Sequence, residues 1–129
     1  MNINDEMAKL MNFEKKDIVK QVACPEPENH PNCMTYHCEV VGRFYVNHEH
    51  RIDVEDWNPK EDMNQAMECV DSLGDRYTFK LTKEAGVWRC DIETVGYRGH
   101  PQHFNAIGRD KSAPLAICKA ILRAKGIEA

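Results

Sequence analysis

Along the C-terminal half of the chain the apolar positions change period twice. Met63, Ala66, Met67, Val70 and Leu73 recur at steps of three and four, which places them on one stripe of a helix, with Lys60, Asp62, Gln65 and Asp71 mostly on the other face. Asn58 suits the N-cap of that helix, Pro59 its first position, and Gly74 the left-handed residue beyond its last turn. The period then drops to two. Tyr77, Phe79 and Leu81 alternate with Arg76, Thr78 and Lys80, and Trp88, Cys90 and Ile92 alternate with Arg89, Asp91 and Glu93. Two half-buried strands joined by a short loop containing Gly86 predict a hairpin. Residues 96–102 read as a loop and Phe104–Ile107 as a last short strand. The helical period returns at Ile117, Ala120, Ile121 and Ala124, bracketed by Ser112 and Gly126. Lys119, Arg123 and Lys125 lie outside that stripe, toward the end where the helix dipole favours cations.

The N-terminal third has apolar Met7, Leu10, Met11, Phe13, Ile18, Val19 and Val22, a spacing that suits one interrupted helix or two short ones with Asn12 as an internal cap. Cys24-Pro25-Glu26-Pro27 ends it, because proline brings no N–H and disfavours helix in the residue before it. Residues 24–37 form a polar, proline-bearing loop; Glu39–Val46 is rich enough in β-branched and aromatic side chains to be a strand, and residues 47–56 are an acidic loop or a ragged second strand. The expected fold is therefore α+β: an antiparallel sheet of three to five strands packed with two or three helices, its C-terminal part in the order α-β-β-(β)-α. The expected organisation is one domain over residues 1–129. It has a helical segment at 1–23, a Cys/His/Pro loop at 24–38, and the sheet with two helices at 39–126.

Composition narrows the class. A hydrophobic fraction of 42% with 29% charged residues belongs to a soluble globular chain. No apolar run approaches the roughly 18 residues of a membrane span, and residues 1–23 lack the continuous apolar stretch of a secretory signal, so a cytoplasmic location is expected. The net charge of −4 is unevenly placed: residues 1–75 carry 7 Lys/Arg against 16 Asp/Glu, and residues 76–129 carry 10 against 5. The first part should repel phosphate, whereas the second can present a local positive face. In a chain with no export signal the six cysteines read as free thiols or metal ligands rather than disulfides. Cys69, Cys90 and Cys118 read as small core side chains.

Three clusters carry candidate chemistry. Cys24, His30, Cys33, His37 and Cys38, with His48 and His50 further on, hold the thiolate and imidazole donors that zinc takes in tetrahedral sites, but without paired CxxC knuckles. Zinc is the one cofactor they suggest. Tyr97, Arg98, His100, His103 and Arg109 lie on or beside the loop before the closing helix, and combine stacking surfaces with the planar hydrogen-bonding fork of arginine. They form the candidate site for a ligand or partner, including a phosphate or a nucleobase. Gly96 and Gly99 reproduce the G-x-x-G spacing of KH loops, although a strand rather than a helix precedes them here. Helix–strand–strand–strand–helix is also the order of double-stranded RNA-binding domains, for which Lys111, Lys119, Arg123 and Lys125 would supply phosphate contacts. No pair of carboxylates and no Cys/His pair is marked as catalytic, so no catalytic residue is assigned.

Trp57-Asn58-Pro59 with Gln65-Ala66, the strand containing Trp88, and the run Ala113-Pro114-Leu115-Ala116-Ile117-Cys118-Lys119-Ala120 resemble the phage ABA sandwich domain family. Residues 13–22 also resemble the helix that opens many members. The resemblance covers most of the chain except residues 24–38 and 96–103, and its motifs are packing residues. It implies a small phage protein and brings no catalytic residues. The function it suggests is non-enzymatic binding of a host protein or a small signalling molecule in the host cytoplasm, in its most concrete form inhibition of bacterial antiviral defence. Nucleic-acid binding, double-stranded RNA above all, is the alternative, a zinc-stabilised accessory protein a further one, and a homo-oligomer is left open.

Overall fold

The structure, a computed structural model, describes residues 2–22, 37–74, 77–94 and 105–127. The chain, expected as one domain, divides into two compact units. Residues 1–12 with 57–129 form the first, and residues 13–56, inserted between them, form the second.

Helix α1 (Ile3–Leu10) is capped by Asn2, whose side chain accepts the Asp5 N–H at 3.2 Å. Of the interrupted helix, or two short helices, expected over residues 1–23, only the part before Asn12 is helical. Asn12 adopts the left-handed conformation (φ 58°), which asparagine tolerates better than most residues, and the chain leaves as strand β1 (Glu14–Val22). Ile18 and Val19 explain the change: β-branched side chains are restricted on a helix and suit a pleated surface. Strand β2 (His37–Val46) begins two residues before its expected start and pairs antiparallel with β1. Strand β3 (Arg51–Asp53), in the segment expected as a loop or a ragged strand, completes a three-stranded sheet in the order β1-β2-β3. A register shift between Ile18 and Val19 marks a bulge. Tyr45 is the buried centre of this unit, its ring centroid 5.9 Å from that of Phe13.

In the larger unit, helix α2 (Met63–Asp71) starts four residues later than Asn58 would have it. Asp62 is the N-cap and accepts the Gln65 N–H at 3.1 Å. Asn58 instead opens the preceding turn, where its carbonyl accepts N–H bonds from Glu61 and Asp62. The residues that carried the family resemblance tie this turn to α1. The Trp57 indole N–H donates to the Asn4 carbonyl at 2.9 Å, the Asn4 amide donates to Asn58 Oδ1 at 2.9 Å, and the Asn58 N–H donates to Gln65 Oε1. Trp57 and Pro59 are buried, so this knot serves architecture.

Strands β4 (Tyr77–Glu84) and β5 (Val87–Thr94) form the expected hairpin, with Glu84 opposite Val87. Its two turn residues, Ala85 and Gly86, both take positive φ, as the primed turns that match strand twist require. Strand β6 (Asn105–Asp110) adds to β5 antiparallel, giving the order β4-β5-β6. Helix α3 (Ala113–Ala124) packs on β5, β6 and α2. Its C-terminus closes in a Schellman motif: Gly126 (φ 81°) donates to Arg123 and Ile127 donates to Leu122.

The core is centred on α3, where Ala116, Ile117, Cys118, Ala120, Ile121 and Leu122 are fully buried against Ile92, Cys90, Ala106 and Ala66 among others. On α2 the buried positions are Ala66 and Cys69. Met63, expected on the core stripe, is 38% exposed, because the helix begins only at that residue. Among the described residues no helix is long and apolar enough to cross a membrane.

Candidate functional site

Alternation along β5 turns Cys90 and Ile92 into the core and Val87, Arg89, Asp91 and Glu93 to the opposite face. The register then sorts the polar face of the sheet into three cross-strand rows: Thr82–Arg89–Arg109, Lys80–Asp91–Ile107 and Thr78–Glu93–Asn105. A concavity of about 560 Å³ lies over this face, lined by Thr78, Lys80, Thr82, Glu84, Arg89, Asp91, Glu93 and Asn105 together with Phe79.

Arg89 and Asp91 are its fixed point. Arg89 Nε lies 3.0 and 3.2 Å from the two Asp91 oxygens, and Nη2 lies 3.0 Å from Oδ1. The hydrogen bond to Asp91, then its Coulombic attraction, raises the Arg89 guanidinium above its ordinary value, so the group stays charged. This two-point geometry holds a planar fork in one orientation, which a lysine in its place would not do.

Of the residues the sequence put forward, Arg109 reaches this face, exposed and directly opposite Arg89. Tyr97, Arg98, His100 and His103 lie outside the described residues, in the segment joining β5 to β6. Cys24, His30 and Cys33 also lie outside them. His37 opens β2, and Cys38 beside it is an exposed free thiol. Among the described residues no three His, Cys, Asp or Glu side chains come together as a metal site. His48 and His50 sit on the turn where Asn47 Oδ1 accepts the N–H groups of Glu49 and His50 at 2.8 and 2.7 Å.

The cations of the closing helix are engaged within the protein. Lys119 Nζ lies 3.0 Å from Asp110 Oδ2, Arg123 donates to the Ile107 carbonyl, and Lys125 Nζ lies 5.3 Å from the centre of the Tyr77 ring. Asp110 also accepts the Ser112 N–H; that bond first, and Lys119 next, hold its carboxyl below the ordinary range. Sequence reading missed Arg89, Asp91 and Lys80 as site residues. Their outward alternation was visible, but the placing of Arg109 opposite Arg89 depends on the β5–β6 register.

The three core cysteines read from the sequence are buried free thiols. Burial, then Cys118 and Glu68, pushes Cys69 up to about 12; burial, then Asp91 and Cys118, does the same for Cys90; burial dominates for Cys118, also at about 12. Raised thiol values mean that the folded state holds protons that the unfolded chain releases. Their stabilising contribution is present below pH 9 and is lost between there and about 12. Denaturation midpoints should therefore fall with alkali, by roughly 1 kcal/mol per thiol per pH unit. In neutral buffer iodoacetamide should modify exposed Cys38 while sparing Cys69, Cys90 and Cys118; rapid native-state labelling of those three would refute their burial.

The sequence matches the Phage ABA sandwich domain over residues 9–122, and the chain belongs to that family. The match runs from within α1 to within α3 and so spans both units. No curated protein and no solved structure matches the chain.

Proposed function

We propose, for a chain that belongs to the Phage ABA sandwich domain family, a non-enzymatic binding role in the host cytoplasm. The bound species is a host protein or a small signalling ligand, and the role in its most concrete form is antagonism of bacterial antiviral defence. The observation that carries this reading is the polar face of β4-β5-β6. It is a concave surface lined by Lys80, Thr82, Arg89 and Asp91, with Arg109 opposite Arg89 in the next strand, and helix α3 packs on β5 and β6. The family supports the phage context, and the anti-defence role is the further step. On such a surface, binding should concentrate in a few anchors, with arginine prominent among them.

The test is phage plating on hosts carrying individual defence systems, with wild type or a variant supplied in trans. Wild type should restore plating on at least one host. Lys80→Ala on this face, and Arg98→Ala in the β5–β6 connection, should shift stability by no more than about 0.5 kcal/mol while reducing rescue. Absence of rescue on every host removes the antagonist reading. Full rescue by both variants removes these residues as anchors.

Double-stranded RNA is the second reading, favoured by the α2-β4-β5-β6-α3 order and the sequential antiparallel sheet. Against it, Lys119 and Arg123, two of the cations it would use, are already engaged with Asp110 and the Ile107 carbonyl.

A further inference from the structure

The row Thr82–Arg89–Arg109 places two arginines on directly opposite positions of adjacent strands. Like charges in that relation destabilise a sheet, because the Cβ atoms stand only about 5 Å apart. Asp91 relieves part of the repulsion but binds Arg89 alone, on Nε and Nη2, which leaves Nη1 of that fork for another acceptor. Arg109 is exposed beside it, and Thr82 contributes a hydroxyl from the strand on the other side.

We infer that this row is a binding site for a single phosphoryl group carried by a small polar molecule. The inference rests on the reading of this face as the contact surface and names the ligand chemistry it takes. A tetrahedral oxyanion can accept from the Arg109 fork, from Nη1 of Arg89 and from a hydroxyl at once, and its double negative charge offsets the arginine pair. The surroundings limit its size. Glu84 lies two positions beyond Thr82 on β4, and Asp91 and Glu93 follow Arg89 on β5, so an extended polyphosphate or nucleic-acid backbone would run onto carboxylates in either direction. The same carboxylates, with Thr78 and Asn105, offer acceptors to hydroxyl or amine donors on the rest of the molecule. One phosphoryl end and a donor-rich body is the chemistry that fits.

The experiment uses the full chain, with inorganic phosphate as the probe and chloride at matched ionic strength as the reference, read by thermal unfolding and by calorimetric titration. Wild type should show a saturable rise in melting temperature with phosphate beyond that in chloride. Arg109→Ala should melt higher than wild type in chloride, because the like-charge pair is gone, and should lose phosphate affinity by roughly ten- to a hundredfold. A residue needed only for folding would instead lower the melting temperature. Arg109→Lys, which keeps the charge without the fork, should fall between the two. Equal responses to phosphate and chloride overturn the site, as does unchanged phosphate affinity in Arg109→Ala, or capture of duplex RNA in preference to phosphate. Phage rescue without phosphate binding would overturn this site alone; phosphate binding lost in Arg109→Ala with no rescue by wild type on any host would uphold the site and overturn the antagonist role alone.

Discussion

Gly108→Ala is expected to cost the protein on the order of 3 kcal/mol or more, enough to leave little folded material. Gly108 lies in β6 where the strand passes directly under α3. A methyl group there would stand 2.5 Å from the Ala120 backbone nitrogen, closer still to the Ala116 carbonyl oxygen, and 3.1 Å from Lys119 Cβ. Two of these neighbours are helix backbone, which cannot rotate aside as a side chain can. Relief requires moving α3 off the sheet, and that would open the core at Ile117 and Ile121, both fully buried. Gly42→Ala is the control, since its methyl would meet only the Ile18 side chain, its Cδ1 at 3.3 Å and its Cβ at 4.0 Å, and should cost less than about 1 kcal/mol. Urea denaturation of both variants decides the matter: equal midpoints would mean that the approach of β6 to α3 is not as close as the structure has it.

Ile121→Ala should destabilise by about 2–5 kcal/mol, as deleting a fully buried branched side chain does when the site cannot collapse around the void. Ile121 has no exposed surface, and the small residues Ala116 and Ala120 hold α3 against β6 on the same helix, which limits relaxation. Leu73→Ala, at a position only half-buried beyond the end of α2, should cost less, and Met63→Ala, exposed at the start of α2, close to nothing. Chemical denaturation of the three variants should rank them in that order. A Met63→Ala cost equal to that of Ile121→Ala would restore Met63 to the core.

What the sequence determined by itself was local. The helical stripe of α3 and its Gly126 stop, the two alternating strands around Ala85-Gly86, and the inward-facing Cys90 and Ile92 all follow from periods and turn chemistry confined to a few consecutive residues. The same local signals misled where two structures share a pattern. Ile18 and Val19 can line a helix as well as a strand, and Asn58-Pro59 can open a turn as well as a helix; β-branching in the first case and the Asp62 cap in the second decided the outcome. Tertiary structure alone decided what depends on pairing residues distant in the chain. Arg89 stands opposite Arg109 because β6 returns beside β5 after the intervening segment, in a register that no run of adjacent residues encodes. Gly108 looks like any strand glycine until the backbone of α3 is laid across it. The packing motifs were therefore readable from the chain, while the candidate site, built from side chains on three strands, came into view only when the sheet was assembled.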